Sequence, residues 1–145
     1  MNNTSWTTSL NKDRASGIVI NGNKILLIHR VREDREYWVL PGGGIEKNEA
    51  VEDALDRELA EELCVIVKDK RFLFKIENAN RYEYHFLILK YEGEPKLGGP
   101  EKEKMNEQNQ YLLEWVELDD IKKIKNLYPQ EAINKLTEYL KINGE

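Results

Sequence analysis

Apolar residues along this chain recur with two different periods, and the switches between them mark the elements. The segment from Ala15 to Ile20 reads as a strand, and Lys24 to Arg30 (KILLIHR) as a second, strongly apolar one. Between them, Asn21-Gly22-Asn23 offers residues that tolerate the positive φ of a tight hairpin. Arg32 to Glu36 reads as a charged loop, and a short strand from Tyr37 to Leu40 runs into Pro41-Gly42-Gly43-Gly44. From Asn48 to Leu63 the period is helical: Val51, Ala54, Leu55 and Leu59 lie three and four apart, with Asn48 as the expected N-cap. Val65 to Glu77 reads as one or two strands and Arg81 to Tyr91 as another, followed by a punctuated loop from Gly93 to Gln110. Tyr111 to Glu117 reads as a strand, and Pro129 opens a last amphipathic helix to Ile142. Many strands with one central and one terminal helix predict an α+β fold, a mixed β-sheet sandwiched between α-helices.

Composition narrows the setting. The 145 residues suit a single domain, 1–145, with a polar N-terminal arm over 1–14. A net charge of −5 leaves no basic stripe for a nucleic-acid polymer, so none is expected as partner. A small phosphorylated ligand remains compatible, because metal ions reverse the local sign of a site. The single cysteine, Cys64, excludes an internal disulfide and fits a reducing compartment. The arm has no signal-peptide apolar run, and no stretch approaches the roughly 20 apolar residues of a membrane span, so the expected location is cytoplasmic.

The candidate chemistry lies between Gly43 and Val65. With Val51 at zero and about 100° per residue, Leu55 falls near 40°, Leu59 near 80° and Ala54 near 300°. On the same scale Glu58 falls near 340°, Glu62 near 20° and Glu61 near 280°, all within about the sector of the apolar stripe. Glu52, Asp53 and Asp56 fall between about 100° and 200° and read as surface acids. Most acidic runs on helices are simply solvated. Here the inward phase and the helix dipole, which disfavours negative charge in the last turn, both oppose that reading. Three carboxylates at i, i+3 and i+4 repel one another, and Arg57 supplies one compensating charge. An oxygen-rich cluster of this kind suits Mg²⁺ or Mn²⁺.

Gly43 is followed after five residues by Glu49, and after seven more by Arg57-Glu58-Leu59-Ala60-Glu61-Glu62-Leu63-Cys64-Val65. This closely resembles the Nudix box: Gly, five residues, Glu, seven residues, Arg-Glu-apolar-any-Glu-Glu-any-Gly-apolar. Every fixed position matches except Cys64, which stands where the family has glycine. Trp38 to Gly44 also resembles the family's entry to the box. The resemblance implies a Mg²⁺-dependent hydrolase of diphosphate linkages, with Glu58 and Glu62 as principal metal ligands and Glu61 beside them. It implies a backbone carbonyl from Gly42 or Gly43 at the metal, and a positional pairing of Glu49 with Arg57. Glu58 or Glu61 takes the proton of the attacking water, with Glu101, Glu103 and Glu107 in the long loop as further carboxylate candidates, Glu107 first. Glu46 reads as a surface acid. Cys64 is expected to be a small buried side chain, since cysteine is among the most buried residue types.

On the substrate side the resemblance names Gly43, with Arg30 either meeting a phosphate or staying solvated. Tyr82 stands 17 residues after Val65, a spacing similar to that of relatives acting on diadenosine polyphosphates. No proline follows the box at 15 or 16 residues, where ADP-ribose-cleaving relatives often carry one. Nucleoside triphosphates, oxidised ones included, are the leading expectation, acted on by a monomer or homodimer. A rival is a Nudix-like domain that binds nucleotides without cutting them. Such domains usually lose a metal glutamate, and this chain keeps all of them.

Overall fold

A computed structural model describes residues 12–103 and 105–142; the first eleven residues of the N-terminal arm and the side chains of Pro100, Glu101 and Ile142 lie outside that description. Among the described residues the strands are β1 (Arg14–Ile18), β2 (Ile20–Asn21), β3 (Lys24–Arg32), β4 (Arg35–Val39), β5 (Gly42–Gly44), β6 (Ile66–Asn78), β7 (Arg81–Glu92), β8 (Asn109–Glu117) and β9 (Leu127–Tyr128). The helices are α1 (Val51–Leu63), α2 (Gly99–Glu103) and α3 (Gln130–Ile142), with a 3₁₀ turn at Leu118–Lys123. The expected mixed sheet is present as two. One has the order β5-β1-β7-β6, with β1 and β7 parallel. The other runs β2-β3-β4-β9, with β8 antiparallel to β3 on its other side.

The apolar run in β3 explains the layering. Leu26 and Ile28 enter a core with Ala54, Leu55, Leu59 and Leu63 of α1, whereas Ile25 and Leu27 enter a second core with Ile133, Leu136 and Leu140 of α3. A strand buried on both faces reads as a continuous apolar run, and its two-residue period feeds both cores. The box helix therefore covers one face and the helix after Pro129 the other, as the sequence predicts. Leu59 is fully buried, so truncating it to Ala would remove about 2–5 kcal/mol.

Four local expectations need correction. The strand expected over Ala15 to Ile20 breaks at Val19: β1 joins one sheet and β2 the other, and the Val19 carbonyl accepts the Leu26 N–H at 2.9 Å. Arg32 to Glu36 is a tight hairpin between β3 and β4, turning through Glu33 at φ 57°, rather than a loop. Asn48 is not the N-cap; it sits at φ 66°, and Ala50 precedes the helix with no side-chain cap. An asparagine tolerates the left-handed region, so the residue serves the turn instead of the helix end. The long loop contains α2, packed beside the C-terminal end of α1. That end is also closed by the segment before α2, where the N–H groups of Lys96 and Gly98 donate to the carbonyls of Leu63 and Glu62 at 3.0 and 2.9 Å.

Cys64 is corrected as well. It is exposed, and it ends α1 in the left-handed conformation at φ 59°, ψ 35°. The chain must reverse at once to start β6 at Ile66, and the thiol lies beside Gly98. A non-glycine residue there costs about 1–2 kcal/mol, set against roughly 0.5–1 kcal/mol of added chain entropy for glycine. Cys64→Gly is therefore expected to raise the melting temperature by about 1–4 °C with kcat preserved. A lowered melting temperature would show that the thiol's packing outweighs the backbone strain.

Candidate active site

The glycines before the box form a strand whose missing side chains make room for β1 and for the Glu58 carboxylate. β5 pairs with β1 in the register Ser16↔Gly42, Ala15↔Gly43 and Arg14↔Gly44. Gly42, at φ 152°, lies so close to β1 that a Cβ there would fall 2.2 Å from the Ala15 carbonyl oxygen. A Cβ on Gly43 would fall 2.1 Å from a carboxylate oxygen of Glu58. Only glycine permits this contact between the strand backbone and α1.

Arg57 ties the loop to the helix. Its Nε and Nη2 donate to the two oxygens of Glu49, both at 2.8 Å, and Nη2 also donates to the Gly44 carbonyl at 3.0 Å. Nη1 donates to Glu58 Oε2 at 2.9 Å and, more weakly, to Glu61 Oε1 at 3.4 Å. The Arg57 bond and the Glu46 backbone N–H hold the Glu49 carboxyl down at about 2. The guanidinium is held above its ordinary range, chiefly by Glu49.

The three inward acids separate in the structure. Glu62 is buried, and its Oε1 accepts the Gly42 N–H at 2.8 Å. Glu58 keeps 17% of its side chain exposed, and burial pushes its carboxyl above the usual range despite Arg57. Glu61 faces outward with 52% exposure, against the expectation that it shares the buried sector. At about 280° it lies on the margin of the apolar stripe rather than within it.

These donors fit a hard divalent cation. Glu58 and Glu62 offer oxygen only, and Glu58 is a partly buried carboxylate with too little compensating charge. Among the described residues no three acidic, histidine or cysteine side chains converge on one point. A cation here would rest on Glu58 and Glu62, with Gly42 or Gly43 alongside and water or substrate oxygens completing its coordination, which suits Mg²⁺.

The other candidates are scattered. Glu103 and Glu107 are exposed, and the side chain of Glu101 lies outside the described residues. Glu46 is exposed and pairs with Lys12 at 3.3 Å. Tyr82 is 44% exposed with Lys75 over its ring at 4.5 Å. It points to the opposite face of β7 from Arg81 and Glu83, away from Arg30. Arg30 lines a hollow of about 230 Å³ with Arg14, Ser16, Tyr37, Arg81 and Glu83. Sequence reasoning missed every one of these companions. The alternation Arg81, Glu83, His85 on one face of β7 was the available signal, but the apolar residues between masked it.

Residues 11–136 match the family model for the NUDIX domain. The chain is 36% identical over 83 residues to an RNA pyrophosphohydrolase of Haemophilus influenzae, covering 57% of this chain and 42% of that protein. It thus spans about two-fifths of the length of that relative. It is 32% identical over 111 residues to an 8-oxo-dGTP diphosphatase of Buchnera aphidicola, covering 73% of this chain and 77% of that protein. Among solved structures, a MutT NUDIX hydrolase from Burkholderia pseudomallei superposes with a TM-score of 0.63 at 28% identity, covering 76% of this chain and 85% of that one. No helix among the described residues is long and apolar enough to cross a membrane.

Proposed function

Because this chain belongs to the NUDIX domain family, we propose that it is a hydrolase cleaving the diphosphate linkage of a nucleoside triphosphate or related nucleoside diphosphate derivative, with Mg²⁺ as cofactor. The observation that carries the reading is the pair Glu58 and Glu62, brought under the glycine strand with a deficit of positive charge. When bound, a divalent cation neutralises diphosphate oxygens and makes water a stronger nucleophile.

The chain's own residues supply the rest. Glu58 and Glu62 would hold the cation, and the Gly42 N–H fixes one oxygen of the Glu62 carboxylate. Arg57 fixes Glu58 from one side and the Glu49 loop from the other, so its role is positional. Glu61, exposed and only weakly bonded to Arg57, is the carboxylate left to accept the proton of the attacking water. The two relatives differ in substrate size: one is named for RNA, the other for a single oxidised nucleotide.

The test is a hydrolysis screen over nucleotides with Mg²⁺, with products identified by mass. Cleavage at a phosphoanhydride is the expected result. Nucleotide binding without cleavage of any member would replace this reading with the non-cutting binder.

A further inference from the structure

The sheet edges of this fold are not treated alike. β2 and β9 have two residues each, and β5 has three. β6 is long, but it carries Lys68, Lys70, Arg71 and Lys75 and shifts its register against β7 in three places. Charge and bulges of this kind keep an edge from pairing with another chain. β8 has neither. Its nine residues hold an unbroken register with β3, from Lys24↔Glu117 to Arg32↔Asn109, and include no lysine, arginine, proline or glycine. No residue of β8 is buried, and Leu112 and Trp115, on opposite faces of the strand, are 39% and 37% exposed.

In an antiparallel ladder alternate residues bond to the neighbouring strand, and the rest turn their backbone groups outward. The Leu118 N–H donates to the Asn23 carbonyl at 2.8 Å and the Glu33 N–H to the Gln108 carbonyl at 2.7 Å. The even-numbered residues of β8 therefore bond to β3, and the odd-numbered ones face away. Asn109 is closed off by Asn106, each N–H donating to the other's carbonyl at 3.1 and 3.0 Å. Among the described residues β8 pairs with β3 alone, and no backbone group answers Tyr111, Leu113 or Trp115. Both acids of the strand are tied back into their own sheet. Glu114 accepts from Trp38 Nε1 at 3.1 Å and lies 2.6 Å from His29 Nδ1. Glu117 accepts from Asn23 Nδ2 at 2.7 Å, with the Lys24 ammonium 3.9 Å away.

We propose that β8 is an interface, pairing antiparallel with β8 of a second copy of this chain about a twofold axis at Leu113. Three registers bring open residues together, and charge and hydrogen bonding choose among them. An axis at Glu114 sets that acid directly against itself, which is destabilising. An axis at Leu112 sets Trp115 opposite Asn109, whose backbone groups are already used. The axis at Leu113 serves all three open residues: Tyr111 faces Trp115 of the second copy, twice, and Leu113 faces itself. On the other face Leu112 lies opposite Glu114 of the second copy, so no acid meets an acid. The pairing joins two five-stranded sheets into one and, being isologous, stops at two copies. One strand per copy makes a small interface, so the dimer forms in a concentration-dependent way. The pairing does not depend on which linkage the enzyme cuts.

Sedimentation equilibrium of the full chain, from about 1 µM to about 1 mM, should show a monomer passing to a dimer and no further. Amide hydrogen exchange read by NMR at the two ends of that range locates the contact. The Tyr111, Leu113 and Trp115 amides should slow at least about tenfold in the concentrated sample, whereas those of Leu112, Glu114 and Val116, already bonded to β3, should not change. Trp115→Pro removes an outward N–H at a position where an edge strand tolerates proline, and should weaken the dimer at least about tenfold; Trp115→Phe should keep most of it. The exchange pattern of the unaltered chain decides the matter even if the proline variant fails to fold. A monomer at every concentration would overturn the proposal and leave the edge to an extended segment of another protein. Growth beyond two copies, a dimer without the alternating protection, or a folded Trp115→Pro variant that dimerises as before would each overturn it as well.

Discussion

Excess chelator is expected to abolish hydrolysis of every diphosphate substrate, and added Mg²⁺ to restore it. Glu58 and Glu62 present only oxygens, and a substrate diphosphate brings further negative charge against them. Without a cation, the Coulomb term between these groups opposes substrate approach, and Arg57 is already committed to Glu49, Glu58 and the Gly44 carbonyl. The same logic applies to stability. A ligand that binds only the folded state stabilises it in proportion to RT ln(1 + [L]/Kd), so Mg²⁺ should raise the melting temperature as its concentration increases. Hydrolysis that continues unchanged in chelator would remove the metal from the mechanism altogether.

Glu58→Gln and Glu62→Gln should each lower kcat by at least about 100-fold with the fold intact, because each removes a charged ligand from a metal-stabilised transition state. An amide is nearly isosteric with the carboxylate, and an amide oxygen at position 62 can still accept the Gly42 N–H, so the loss should fall on catalysis rather than on folding. Glu52, on the exposed face of α1, is the control, and Glu52→Gln should change kcat little. Comparing kcat with the melting curve of each variant separates the two effects. Similar losses at positions 52 and 58 would mean that α1 presents a different face to the substrate.

The central helix and its inward acids were legible because a single period governs them. Val51, Ala54, Leu55 and Leu59 set the phase, and Glu58 and Glu62 follow from it by arithmetic alone. The Arg57–Glu49 clamp was legible only through the family resemblance, since eight residues of separation carry no geometric signal on their own. What escaped the sequence depends on partners distant along the chain. Glu61 is exposed on the margin of the stripe, and Cys64 is exposed at the left-handed turn that ends α1 two residues before β6. The hollow around Arg30 draws on β1, β3, β4 and β7, and it becomes visible only once the two sheets are set against each other. The change of sheet at Val19 left no mark in the alternation, because both sides of the break are equally apolar.

The segment from Gly93 to Gly98 has the composition of a spare connector, rich in glycine and charge, where an engineer would splice a tag or a sensor. Its backbone instead braces the last turn of α1, through the carbonyls of Leu63 and Glu62. A splice there would pull on the main chain of Glu62, the glutamate proposed to hold the metal, and is expected to lower activity without altering any acid. The Gly22-Asn23 hairpin is the better site for such grafts, since it is exposed and its neighbours belong to the sheet rather than to the box.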